Sequence, residues 1–188
     1  MRTKTENSLE EIESSAKSMA SCFPTQRFSV PKPLAQQLIA QNLYHKGIAG
    51  DIIDIGCGIG DNCLSFFHVV SQFRDRKIYG FDTFSGYTSQ DIKKTKEVCG
   101  DVPYNGLIEN TKEKRWNTGS HPIRSRIKTA HAEDSIKIIE GDACETTLDF
   151  RPHSGSISLL YIDCNSYMAS KSSISNLKKY LRPSSLIF

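Results

Sequence analysis

Residues Asp51 to Gly60 read Asp-Ile-Ile-Asp-Ile-Gly-Cys-Gly-Ile-Gly. Ile52, Ile53 and Ile55 surround Asp54 as the side chains of a short buried strand do. Gly56, Gly58 and Gly60 then turn the chain, and a helix-compatible run from Asp61 to Arg76 follows. A strand, a glycine turn and a helix start make a pocket for a small polar ligand. Glycine lacks the Cβ that would hold a ligand off the backbone, and a helix start carries N–H groups without partners. The spacing sorts the ligands. A dinucleotide fingerprint is Gly-x-Gly-x-x-Gly, which lets a diphosphate lie over the helix start. Here the third glycine comes one residue early, which disfavours a nicotinamide-dependent dehydrogenase. A glycine-rich turn in some other α/β protein stays open at this point.

Three more strands follow, each ending in an acid. Lys77 to Asp82 (Lys-Ile-Tyr-Gly-Phe-Asp) is the second. Asp82 lies 26 residues after Gly56, room for one helix and one return strand. A carboxylate there can accept from both hydroxyls of a ribose. Ser135 to Ala143 predicts a third strand ending at Glu140-Gly141-Asp142. Ser156 to Asn165 predicts a fourth, apolar from Ile157 to Ile162 and ending at Asp163. Ile174, Leu177 and Leu181 then recur at helical steps, Arg182-Pro183 stops that helix, and Leu186-Ile187-Phe188 opens a fifth strand.

In this order the segments resemble the class I S-adenosylmethionine (AdoMet)-dependent methyltransferases. An acid two residues before Gly-x-Gly-x-Gly looks like their first motif, whose turn holds the amino-acid end of AdoMet. An acid after the third strand, here Asp142, borders the adenine in that class. The wording is closest to the macrocin O-methyltransferase-like family of sugar O-methyltransferases. Gly47-Ile48-Ala49-Gly50-Asp51 resembles its lead-in to the first strand. Tyr79-Gly80-Phe81-Asp82-Thr83-Phe84-Ser85-Gly86 resembles its second-strand block, and Glu140-Gly141-Asp142 with Glu145-Thr146 its third. Leu160-Tyr161-Ile162-Asp163-Cys164-Asn165-Ser166-Tyr167 resembles its fourth, usually Asp-x-Asp-x-Tyr.

The resemblance implies a Rossmann-like, doubly wound α/β sheet of about five parallel strands in order 3-2-1-4-5, with the family's C-terminal strands missing. It implies AdoMet contact at Asp54, Gly56, Cys57, Gly58, Gly60, Asp82, Thr83, Asp142, Ala143 and Asp163. Asp163 is also the implied catalytic residue and Mg²⁺ ligand. The acceptor implied is a hydroxyl of a sugar or glycosylated small molecule. Two departures stand out. Asn165 replaces the second acid and would weaken a hard-cation site. The sequence ends at Phe188, before the family's further metal ligands, so a fragment or a non-catalytic short form is the alternative reading. A bare fifth strand would invite self-association along its edge.

The organisation expected is an N-terminal helical extension over 1–30 and an AdoMet-binding domain over 31–188. In the extension, Leu9, Ile12 and Met19 form a loose helical stripe. A helix over 33–46 should bury Leu34, Leu38, Ile39 and Leu43, and Phe66, Phe67, Val70 and Phe73 should bury one side of the helix after the turn. Residues 86–134 exceed what one crossover helix needs. They predict a lid-like insertion over the crevice, with Tyr104, Trp116 and His121 near the acceptor.

A net charge of +3 gives no electrostatic case for nucleic acid. No stretch approaches the roughly 18 apolar residues of a membrane span. The six cysteines form no Cys-x-x-Cys pair. They read as reduced packing residues, which with the polar start of the chain points to the cytoplasm.

Overall fold

The computed structural model describes residues 32–71, 76–100, 105 and 117–188. Strand β1, Asp51–Ile55, runs through the middle, and all five of its residues are buried. Ile52 packs on one face while Ile53 and Ile55 pack on the other, so the strand reads as continuously apolar rather than alternating. On one side of β1 lies β2 (Ile78–Asp82), then β3 (Ile136–Glu140). On the other lies β4 (Ile157–Ile162), then β5 (Leu181–Ile187). All four pairings are parallel, giving the order β3-β2-β1-β4-β5.

Helices cover both faces. α1 (Lys32–His45), α2 (Asp61–Val70) and α4 (His121–Thr129) bring Leu43, Phe66, Val70 and Ile123 onto one. α5 (Ala143–Thr146) and α6 (Tyr167–Leu177) bring Ala143 and Leu177 onto the other, and α3 (Ser89–Cys99) packs against α6. Strand order reverses between β1 and β4. In a doubly wound sheet that switch point opens the ligand crevice at the strands' carboxyl ends.

Asp51 sets the opposite end of β1. Its carboxylate is fully buried and accepts from the backbone N–H groups of Lys77 (2.9 Å) and Ser154 (2.9 Å). It thereby clips the lead-ins to β2 and β4. Before it, a Cβ on Gly50 would sit 2.5 Å from the Ser158 nitrogen. Only glycine lets β1 start this close to β4.

Several local expectations need correction. The buried stripe of α1 is Gln36, Ala40 and Leu43, while Leu34 is 36% exposed. The helix is rotated because Lys32 and Gln36 turn toward a polar network described below. α2 ends at Val70, and Phe73 lies outside the described residues. Ile174 is exposed, and Leu181 leaves the helix to begin β5. Pro183 thus sits inside a strand rather than ending a helix. β5 is the outer strand among the described residues, and a proline's missing N–H is tolerated at such an edge.

Within 86–134, α3 carries a reciprocal cap between Thr88 and Asp91, and α4 sinks Ile123 into the core at 0% exposure. Tyr104 and Trp116 lie outside the described residues, as does the 1–30 extension. No helix among the described residues is long and apolar enough to cross a membrane.

Candidate functional site

At the carboxyl ends of the strands lies a crevice of about 370 Å³. Its floor is the turn after β1. Gly56 has φ 87°, and a Cβ there would stand 2.7 Å from Cys164 Cα and 2.8 Å from the Asp163 carbonyl oxygen. The ends of β1 and β4 therefore touch through a glycine. The Gly56 N–H donates to the Phe81 carbonyl at 2.8 Å, tying the turn to β2. Gly60 works elsewhere. It does not line the crevice, and a Cβ would meet Ile123 Cγ1 at 2.7 Å, so this glycine admits α4 against the turn. Arg126 of α4 then donates to the Ile59 carbonyl (2.8 Å) and to the Asp61 carboxylate (2.7 Å), closing the outer lip.

Asp82 ends β2 beside this turn. One carboxylate oxygen accepts from Gly58 N–H (2.8 Å), the other from Phe84 N–H (2.8 Å). Phe84 has φ 53°, a strained value for an aromatic, and is buried. Thr83 braces the bend by donating to the Gly86 carbonyl at 2.8 Å. The carboxylate is thus fixed by backbone donors with an edge left toward the crevice. Asp142 caps α5, accepting from Cys144 N–H at 2.7 Å. Asp142 and Ala143 both line the crevice, as do Cys57, Gly58, Thr83 and Asp163.

Asp54 is placed differently from the expectation. It is fully buried and outside the crevice lining, beneath the start of α2. Asn62 Nδ2 donates to it (3.2 Å), and so does the Cys63 thiol (3.3 Å). Burial raises its pKa to about 7, against the lowering pull of those two donors. Its route to the crevice is Asn62, which also donates to Asp163 at 3.1 Å. Gln36 donates to Asn62 Oδ1 at 2.6 Å, which fixes the amide so that its N–H groups face the two carboxylates. Asp163 is further paired with Lys32 of α1. Burial opposes the Lys32 charge, but the Asp163 hydrogen bond and charge outweigh it and hold its pKa above the ordinary value.

Lys32, Gln36 and Asn62 gave no signal in the sequence. Gly80 was also missed in this role. It leaves room for the sulfurs of Cys57 and Cys63, which a Cβ would meet at 2.9 and 3.0 Å. On the far wall Tyr87 pairs with Asn165, whose φ is 50°. Ser166 donates to Asp91 at 2.6 Å, locking α6 to α3.

The Mg²⁺ expectation does not fit these residues. The Asp163 carboxylate faces an ammonium and an amide, and Asn165 is engaged by Tyr87. No three His, Cys, Asp or Glu side chains cluster as metal ligands among the described residues. His121 does not reach the crevice either. It begins α4 on an exposed turn and is absent from the lining.

The lining suits a nucleoside that carries positive charge. Ile55, Phe81 and Ala169 supply apolar wall, and five aspartates supply negative charge. No curated protein matches the chain. Among solved structures it is similar to the O-methyltransferase NovP, with 14% identity and a TM-score of 0.65 over 80% of this chain and 60% of that one. It is also similar to the calicheamicin methyltransferase CalS11, with 18% identity and a TM-score of 0.59 over 100% and 78%. A third is the S-adenosylhomocysteine-bound methyltransferase PaMTH1 of Podospora anserina, with 16% identity and a TM-score of 0.52 over 93% and 68%. At these identities the likeness is one of fold, and the chain spans only 60% of the length of NovP. The family model described as a methyltransferase domain matches residues 53–188, from the middle of β1 through β5. With a match over most of its length, on the sheet and crevice just described, the chain belongs to the methyltransferase-domain family.

Proposed function

We propose that this chain binds AdoMet in the crevice and is the cofactor domain of an O-methyltransferase acting on a hydroxyl of a sugar or glycosylated small molecule. The observation that carries the reading is Asp82. It is held by Gly58 N–H beside a glycine turn that opens onto an unfilled crevice. In this reading Asp82 accepts from the ribose hydroxyls, and Asp142 and Ala143 border the adenine. Gly56, Cys57 and Gly58 back the amino-acid end, and Thr83 holds the Asp82 bend. Asp54 and Gly60 serve the site indirectly, one through Asn62 and the other by seating α4.

Bound AdoMet would supply an electrophilic methyl carbon on a sulfonium. The chain's part is alignment and charge. Positioning the two reactants supplies much of the rate of an in-line displacement. Asp163, at the mouth beside Asn165, is the catalytic candidate for receiving the acceptor's proton, since an alcohol needs a base. Part of Asp163 is already committed to Lys32 and Asn62, which fixes its orientation.

CalS11 is described as a TDP-rhamnose 3′-O-methyltransferase, and NovP as an O-methyltransferase; the sugar acceptor rests on these fold relatives and on the block resemblance to macrocin O-methyltransferase-like enzymes. Exposed Leu186, Ile187 and Phe188 fit the pairing of a further strand along β5, whether from the same polypeptide or a second copy. The five described cysteines are unpaired, which fits a reducing cytoplasm. Isothermal titration with S-adenosylhomocysteine tests the binding reading. Binding by the wild type and about a 100-fold loss in Asp82→Ala are expected, since two backbone donors and the ribose lose their acceptor. No heat of binding at millimolar ligand, with an intact circular dichroism spectrum, rejects it.

A further inference from the structure

Five aspartates line the crevice, Asp61, Asp82, Asp91, Asp142 and Asp163; Arg126 pairs with Asp61 from the outer lip, and Lys32 is the cationic side chain among the described residues that lines the crevice itself. That balance suits the sulfonium and ammonium of AdoMet. It is unfavourable for the α-carboxylate, which would be repelled and poorly solvated unless a cation met it. The sheet order tells where that cation stands. Along the carboxyl edge Asp142 follows β3, Asp82 follows β2, the glycine turn follows β1, and Asp163 follows β4. Lys32, paired with Asp163, is therefore at the turn side of the crevice, away from the two acids assigned to the adenosine.

The pair is built to present the Lys32 ammonium to a carboxylate. Asn62, itself held by Gln36, donates to Asp163, and the Lys32 ammonium lies 5.9 Å from the centre of the Tyr161 ring. The Lys32 and Asp163 side chains retain 53% and 36% exposure, so the ammonium keeps donors free for a second anion. An ammonium has three N–H groups, and one carboxylate does not exhaust them.

Resting on the methyltransferase reading above, we propose that Lys32 binds the α-carboxylate of the cofactor's amino-acid end. Asp163, whose other oxygen stays with the acceptor's proton, holds the Lys32 ammonium in place for that contact. The first turn of α1 thereby becomes part of the cofactor site and selects nucleosides that end in an amino acid.

The test compares two ligands on the full chain by isothermal titration. One is S-adenosylhomocysteine, the other its decarboxylated counterpart, with hydrogen in place of the carboxylate. Lys32→Met keeps the stem and removes the charge; Lys32→Arg keeps the charge. Lys32→Met is expected to weaken S-adenosylhomocysteine by about 10- to 100-fold, the range for one hydrogen-bonded charge pair, and to leave the decarboxylated ligand unchanged. Lys32→Arg should recover most of the loss. Equal weakening of both ligands would assign Lys32 a purely structural role at Asp163 and overturn the proposal, as would no weakening of either. If the folded wild type binds neither ligand, the methyltransferase reading itself falls and this inference falls with it. Binding of both ligands by the wild type with equal affinity removes the carboxylate contact alone.

Discussion

The two halves of the crevice are held by different means. On the β2/β3 side, Asp82 and Asp142 are fixed by backbone N–H groups, and two of the three donors, Phe84 and Cys144, lie two residues along the chain from their acceptor. The exception is Gly58, on the neighbouring turn. On the β1/β4 side, Lys32, Gln36, Asn62, Asp54 and Asp163 are held by side chains from four segments, α1, β1, α2 and the end of β4, with partners up to 131 residues apart. A side fixed by local backbone is robust, because each acid brings its own donors. A side fixed by interlocking side chains depends on every member, since a buried polar atom that loses its partner keeps its desolvation cost.

The seam between the halves is the place to break both at once. Gly56→Val would add bulk where even a Cβ stands 2.7 Å from Cys164 Cα, at a φ of 87° that a branched residue resists. We expect a loss of roughly 4–5 kcal/mol or failure to fold, measured by urea unfolding. Wild-type stability in this variant would mean that the β1 and β4 ends can separate freely.

The next test isolates the side-chain half through pH. Asp54 has a folded pKa of about 7, above the roughly 3.9 of an unfolded aspartate. A raised carboxyl binds its proton more tightly when folded. Its contribution is fully present below pH about 4 and is lost as pH rises through the folded value. Between pH 5 and pH 8 the wild type should therefore lose about 3 kcal/mol relative to Asp54→Asn, which has no proton to release. Parallel stability–pH curves for the two proteins would place the Asp54 pKa near its ordinary value.

The smallest effects compare the halves directly. Asn62→Ala leaves Gln36, Asp54 and Asp163 without a shared partner and should cost about 2 kcal/mol or more. Asp142→Ala removes one helix cap and should cost about 1 kcal/mol. Chemical denaturation of both variants decides the order, and a costlier Asp142→Ala would invert the comparison.

The same division explains what was readable beforehand. The inner strands β2, β1 and β4 showed themselves as apolar runs because both their faces are covered, and each strand-end acid was visible because it follows its run closely. The α1 stripe was misread because apolar spacing cannot reveal that Gln36 is buried for a polar partner on α2. Leu181 was misread because its step from Leu177 fits a helix, although the chain there has already turned into an outer strand. Gly60 was assigned to the ligand when its neighbour is Ile123, 63 residues away.

By itself, then, the order of residues determined five strand segments, a glycine turn too short for a diphosphate, and an acid at the end of strands two, three and four. Those features depend on backbone dihedrals and on hydrophobic periodicity, which neighbouring residues fix. The tertiary structure alone decided that Asp54 is buried, that Asn62 bridges two carboxylates, and that Lys32 stands over Asp163. Such contacts arise only when distant elements are packed together, and no local pattern in the chain encodes the distance between them.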